Sequence, residues 1–316
     1  MKLDKKNKQL LYHLTENARY SNVELGKKIR LSKDAVAYRI NKLEEQRIIR
    51  NYKAQINYQK LGYETYRIGL HLINFDQTQE EQLLNYLQTK PSIWGISVNE
   101  GVWTVSYMTT IKTLTQLYTT DQDILKQFRH IIAKRHVTPI THTDFLPKTY
   151  LIEQNHPRTP KTIHPTTPEQ LDELDKQLLT KLQQNAKAQL IDLAEELNCS
   201  SSLVLQRMRR LEEKNIILRY AATLDVLQLG RDYYGVKIIL NNREEYESLQ
   251  QHIYNIPEMT GYLYALGDYD LEFDLEVQDT KHYRKIINEI KKHYKTIREV
   301  TYLKTNKYII RELPMK

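Results

Sequence analysis

The chain has 316 residues, 40% of them hydrophobic and 27% charged. That is length for about two or more domains with their own cores, and it excludes both a stapled miniprotein and wholesale disorder. A single cysteine excludes a disulfide framework and a cysteine-based zinc site and points to a reducing, cytoplasmic setting. The net charge of +8, with a pI near 9.1, fits an anionic partner without identifying one.

Several classes fall away early. No apolar run is long enough to span a bilayer, so no membrane partner is expected. The opening MKLDKKNKQLLYHL puts charges where a secretion signal needs an unbroken apolar stretch. Gly26-Lys27 is followed by Lys28 where a phosphate loop needs Ser or Thr, which argues against nucleotide hydrolysis.

In chain order, Leu10, Leu11 and Leu14 share one face of a first helix. Ser21-Asn22-Val23-Glu24 reads as a capping box that opens a second, with Leu25 and Ile29 on its apolar side. Ser32 is placed to cap a third helix, in which Val36, Ile40 and Leu43 are spaced to face a core. Strand formers follow at Ile48-Ile49 and from Tyr52 to Ile56. Three short helices, a tight turn and a small β extension describe a winged helix-turn-helix. With its apolar stripe buried, the third helix turns Asp34, Ala35, Ala37, Tyr38, Asn41 and Lys42 outward, between Lys33 and Arg39. Small residues that let a helix approach base edges, an amide for purines and flanking cations for phosphates suit a DNA groove. An exposed helix face is also polar for solvation alone, and both readings stay open here.

Residues 63–150 predict strand (Thr65–Ile73), helix (Gln79–Thr89), two strands around Gly101, helix (Lys112–Ile131) and a last strand. This βαββαβ order is ferredoxin-like, and the sheet face without helices needs a partner, most simply a sister sheet in the same chain. Residues 153–170 hold four prolines and predict an extended linker that packs poorly.

Beyond the linker the chain starts again. LDELDKQLLTKLQQNAK from Leu171 repeats LDKKNKQLLYHLTENAR from Leu3, and the offset of 168 holds without a gap to Gly62 and Gly230. A period this long marks duplicated domain pairs rather than a solenoid. The expected units are 1–62 (winged helix-turn-helix), 63–152 (ferredoxin-like), 153–170 (linker), 171–230 (winged helix-turn-helix) and 231–316 (ferredoxin-like), an α+β architecture. Strands and helices recur at Tyr233–Leu240, Glu244–Ile253, around Gly267, Lys281–Tyr294 and Val300–Ile310.

The copies differ in charge. Residues 3–62 carry 14 Lys/Arg against 6 Asp/Glu, whereas 171–230 carry 8 against 9, so the first unit alone matches the net charge of the chain. Since phosphate neutralisation supplies most nonspecific affinity, the first unit is expected to bind more strongly. In the second, Ser200, Ser201, Gln206, Arg207, Arg209 and Arg210 suit a groove. Against that, Leu203 and Leu205 replace Ala35 and Ala37, and Gln189 stands in place of the capping Ser21. A weaker DNA contact and a repurposed interaction module are both consistent with this pattern.

The LDxxDxxLLxxL opening, RxxxLEExxII at the third helix, Leu-Gly at its exit and a βαββαβ domain resemble the Lrp/AsnC (feast/famine) regulators, over nearly the whole chain, twice. The resemblance implies binding of double-stranded promoter DNA by paired subunits, here one covalent pseudo-dimer, with further assembly of such units. It also implies an amino acid or similar effector at the interface between sheets. It places Ser32, Lys33, Tyr38, Arg39 and Lys42 in one recognition helix and Ser200, Arg207, Arg209 and Arg210 in the other. Such proteins carry a Gly followed closely by an Asp at the turn between the middle strands. The second copy keeps this as Gly267-Asp268-Tyr269-Asp270, while the first reads Gly101-Val102-Trp103-Thr104. A carboxylate there either holds an effector's ammonium group or shapes the turn.

Some proteins of this architecture, fused two-copy forms included, are sirohaem decarboxylases and carry a histidine near the middle-strand hairpin. The matching stretches here, Trp94–Asn99 and Thr260–Tyr264, contain none. His130, His136 and His142 recur six apart, a spacing that fits neither helical nor strand ligation. No cofactor, metal or catalytic residue is therefore expected. A non-DNA interaction scaffold, motivated by the uncharged second unit, is the remaining alternative.

Overall fold

The structure is a computed structural model, and its described residues are 3–152 and 158–312. Three helices open it: α1 (Lys5–Glu16), α2 (Asn22–Ile29) and α3 (Lys33–Glu45). Their starts follow the sequence closely. Asp4 accepts from the Asn7 amide, Ser21 and Glu24 close a reciprocal capping box, and Ser32 accepts from the Ala35 amide. Each cap satisfies amides that the first helical turn leaves unpaired. Strand β1 (Ile49–Ile56) follows.

The same order recurs in α6 (Glu173–Gln184), α7 (Leu190–Glu196), α8 (Ser201–Glu213) and β7 (Ile217–Leu224). Gln189 makes no side-chain cap, and α7 is a residue shorter than α2. Strands β1 and β7 pair antiparallel in a two-stranded ribbon. This pairing merges the helical cores: Ala222 and Leu224 of β7 pack with α1–α3, while Ala54 and Ile56 of β1 pack with α6–α8. Neither helical unit completes its core alone.

The other strands are β2 (Glu64–Leu72), β3 (Ile93–Gly101), β4 (Val105–Ile111), β5 (Ile132–Phe145), β8 (Asp232–Leu240), β9 (Met259–Ala265), β10 (Leu271–Val277) and β11 (Ile297–Ile310). They interleave with α4 (Gln77–Thr89), α5 (Leu114–Phe128), α9 (Tyr246–Tyr254) and α10 (Thr280–His293). Each βαββαβ unit forms four strands in the order fourth, first, third, second. The long last strands then cross over. The far half of β5 pairs with β9 and the far half of β11 pairs with β3, so the eight strands form a closed ring. Closure pairs each of these strands on both sides over most of its length.

Alternation along the strands decides what lies inside. On β10, Leu271, Phe273, Leu275 and Val277 turn outward to α9 and α10, while Glu272, Asp274 and Glu276 turn inward. The helices therefore cover the outside of the ring. A cavity of about 480 Å³ lies within, closed on one side by β1 and β7, which contribute Lys53–Ile56 and Ala221–Thr223 to its lining. A sister-sheet partner is what the sequence leads one to expect; closure through the strand edges is not.

The proline-rich segment departs from expectation. Residues 153–157 lie outside the described residues, but the rest docks. A short strand, β6 (Lys161–Ile163), adds to β5. Arg158 donates to the carbonyls of Tyr254, Ile256 and Met259. Prolines exclude helix here without preventing packing, because one guanidinium satisfies carbonyls from the end of α9 to the start of β9 at once.

Candidate nucleic-acid interface

On α3 the outward face is open. Tyr38 is 62% exposed, and Ser32, Lys33, Asp34, Asn41 and Lys42 are exposed beside it, while Val36, Ile40 and Leu43 are buried. Lys42 Nζ lies 5.3 Å from the Tyr38 ring centroid. Among the described residues neither Lys33 nor Lys42 has a carboxylate partner, so both charges face solvent. Asp34 sits in the first turn, where a carboxylate complements the helix dipole. That placement favours a helix-stabilising role, since an anion here repels phosphate.

Arg39 is a correction. Its place on the helix suggests a phosphate clamp, but it reaches back to α1, pairing with Asp4 at 2.6 Å and donating to Asn7 Oδ1 at 2.8 Å. Its counterpart does the same: Arg207 pairs with Asp172 at 2.5 Å and Asp175 at 3.2 Å. Arg210 also pairs with Asp175, a fully buried carboxylate. These arginines tie the third helix of each unit to its first, and only Arg209 of the three in α8 has no ion pair among the described residues. Ser200 caps α8, Ser201 is half-buried and Gln206 is exposed; Leu203 and Leu205 are half-buried.

The difference traces to two positions. Asn7 of the first unit corresponds to Asp175 of the second, and Lys42 corresponds to Arg210. An amide bonds Arg39 without attracting Lys42; a carboxylate draws in both cations of its unit. The signal for this substitution lies in the repeat itself, where the two copies aligned at offset 168 set Asn7 against Asp175.

The four turn residues considered for an effector do not converge on the cavity. Gly101 adopts φ +125°, with the Tyr302 carbonyl where a Cβ would stand, so only glycine fits. Asp270 accepts from the Leu240 amide at 2.8 Å and shapes the strand end. Asp268 is exposed and lies 3.7 Å from His136, beside Gly267. None of the four lines the cavity.

This arrangement is that of a double helix-turn-helix protein on a duplicated ferredoxin-like scaffold. A family model for the AsnC-type helix-turn-helix domain matches residues 3–44 and again 171–212. The DNA-binding transcriptional activator DecR of Escherichia coli K12 is 28% identical over 127 residues, covering 38% of this chain and 84% of that protein. The leucine-responsive regulatory protein of Haemophilus influenzae is 28% identical over 120 residues, covering 37% and 72%. Over the whole chain, the sirohaem decarboxylase NirDL shares the fold, with a TM-score of 0.65 at 12% identity, covering 98% of this chain and 94% of NirDL. The chain carries the AsnC-type helix-turn-helix domain twice, in a tandem duplication, and is similar to Lrp/AsnC regulators.

Proposed function

We propose that this chain is a sequence-specific DNA-binding transcription regulator, acting in the cytoplasm as a covalent pseudo-dimer. The supporting observation is the open face of α3, with Tyr38, Asn41 and two unpaired lysines exposed together. In this reading Tyr38 and Asn41 meet base edges while Lys33 and Lys42 meet phosphates. The second unit, whose arginines are mostly tied inside the protein, contributes a weaker contact. The paired units would set their third helices roughly one DNA turn, ~34 Å, apart.

A regulator is favoured over a sirohaem decarboxylase by the cavity wall. A uroporphyrin-type macrocycle carries carboxylates around its rim, and the described lining contains no histidine to approach its iron. Most lining cations are already matched by acids of this chain.

Two measurements test the proposal. Binding to a mixed-sequence duplex across a salt series is expected to give a log–log slope of about −0.9 per phosphate contacted. A slope near zero removes DNA as the partner. Titration with an iron tetrapyrrole is expected to leave its Soret band unmoved, and a saturable shift reinstates the enzyme reading.

A further inference from the structure

The cavity is not symmetric, although the scaffold around it is. On the second copy's side Asp274 faces Gly235 on β8 and Gly261 on β9. The corresponding place in the first copy holds Met108, facing Arg67 and Gly95. Neither glycine needs unusual backbone here; what matters is space. A Cβ on Gly261 would stand 2.7 Å from Asp274 Oδ2. Duplication lets one wall carry a carboxylate where the other carries a methionine, which two identical subunits cannot do.

The charges lining the cavity divide unevenly. Arg67 and Lys237 pair with Glu272, Lys148 with Glu276, Lys53 with Glu312 and Arg219 with Glu16. Asp274 has no ion pair among the described residues, and Tyr233 lies beside it. Burial pushes its carboxyl up to about 6 despite Tyr233 and the field of Arg67 and Lys237. Tyr308 lies beside it on β11. Much of the remaining wall is apolar, with Ile56, Phe145, Leu263 and Ile310. Among the carboxylates of the lining, Asp274 alone has no ion pair among the described residues, and apolar surface with a few placed polar groups is the usual form of a small-molecule site, for which an eight-stranded ring has room.

We propose that this cavity binds an organic amine, a single ammonium group on an apolar body, with the cation held by Asp274 and Tyr233. A zwitterion fits worse, because its carboxylate finds Arg67, Lys237 and Lys148 engaged by Glu272 and Glu276, and Arg311 donating to the Gln88 and Lys90 carbonyls. The site is independent of the DNA reading. It shares the β1–β7 ribbon with both helical units, so its occupant would press on the element that joins them.

The test is calorimetric titration of the full chain with four probes of one shape: 2-phenylethylamine, 3-phenylpropionate, 2-phenylethanol and phenylalanine. Only the amine is expected to bind saturably, with Asp274→Asn weakening it at least tenfold while a thermal melt reports the fold intact. Between pH 5.5 and 7.5 the wild-type affinity is expected to rise about fourfold as a carboxyl with a pKa near 6 ionises. The groups facing it are Arg67, Tyr233, Lys237, Glu272, Glu276 and Tyr308. This pH arm holds even if the variant misfolds. Preferred binding of the carboxylate or of phenylalanine, amine binding indifferent to Asp274→Asn or to pH, or no saturable binding by any probe overturns the proposal.

Discussion

The two helix-turn-helix units share a backbone and differ in where their cations go. In the second, Lys176, Lys181, Arg207, Arg210, Lys214 and Arg219 all make ion pairs within the protein. In the first, Lys27, Lys28, Arg30, Lys33 and Lys42 lie along α2 and α3 without one among the described residues. The contrast in net charge read from the sequence therefore understates the contrast in available charge. What separates a surface able to attract phosphate from one that is not is the local supply of carboxylates as much as the number of lysines. It also shows how a duplicated protein can retain one charged surface and neutralise the other without altering the fold.

Removing the free cations breaks the comparison most directly. Lys33→Ala with Lys42→Ala is expected to lower duplex affinity by roughly 30–100-fold near physiological salt and flatten the salt slope by about two phosphates' worth. Arg209→Ala in the second unit is expected to change affinity less than about threefold by the same reasoning. Fluorescence anisotropy at several salt concentrations measures both. Equal losses from the two units would mean that the free charge of the first does not direct binding.

Converting one unit into the other sharpens the point. Asp175→Asn gives the second unit the amide that the first has at Asn7. Arg207 keeps a hydrogen-bond partner, as Arg39 does, and Arg210 is released toward solvent. Loss of a buried, charge-assisted contact is expected to cost about 1–3 kcal/mol in denaturant unfolding. The freed arginine is expected to steepen the salt slope by about one phosphate. A destabilised protein with an unchanged slope would show that α8 does not meet DNA even when its charge is free.

Much of this architecture is legible in the amino-acid sequence. The repeat, the caps at Ser21 and Ser32 and the two strand periodicities define the helical units and the βαββαβ order, because each rests on local residue chemistry. Ring closure is not legible there. Edge pairing between β3 and β11 uses backbone groups that any residue carries, so no side chain announces it. The docked linker is hidden for a similar reason, since Arg158 bonds carbonyls nearly a hundred residues away. Helical spacing correctly predicts exposure of the recognition face at Tyr38 and Asn41 but misleads at Arg39, whose partner Asp4 looks in the sequence like no more than part of the opening motif. Residue type gives the chemistry; only the packing of α3 on α1 shows where it is used.

That correction yields a smaller prediction. Arg39→Ala removes a partly exposed tie between helices, so it is expected to lower stability by about 1 kcal/mol. The salt slope of duplex binding is expected to stay as it was, because the guanidinium already faces Asp4. A flatter slope without loss of stability would return Arg39 to the phosphate contacts.

The smallest expected effect concerns backbone alone. Both copies end their third helix with a left-handed residue, Arg47 at φ 55° and Asn215 at φ 54°. The same closing bonds follow in each: Ile48 to the Leu43 carbonyl and Ile216 to the Leu211 carbonyl, both at 2.9 Å. This is the Schellman arrangement, in which Ile48 also packs against the buried Leu43. Asparagine tolerates the left-handed region better than arginine, whose side chain gains nothing from it. Arg47→Asn is therefore expected to raise stability by roughly 0.5 kcal/mol. If its salt slope for duplex binding also flattens by about one phosphate, Arg47 occupies its strained position because its charge is used there. An unchanged slope confines the free cations that matter to Lys33, Lys42 and their neighbours on α2.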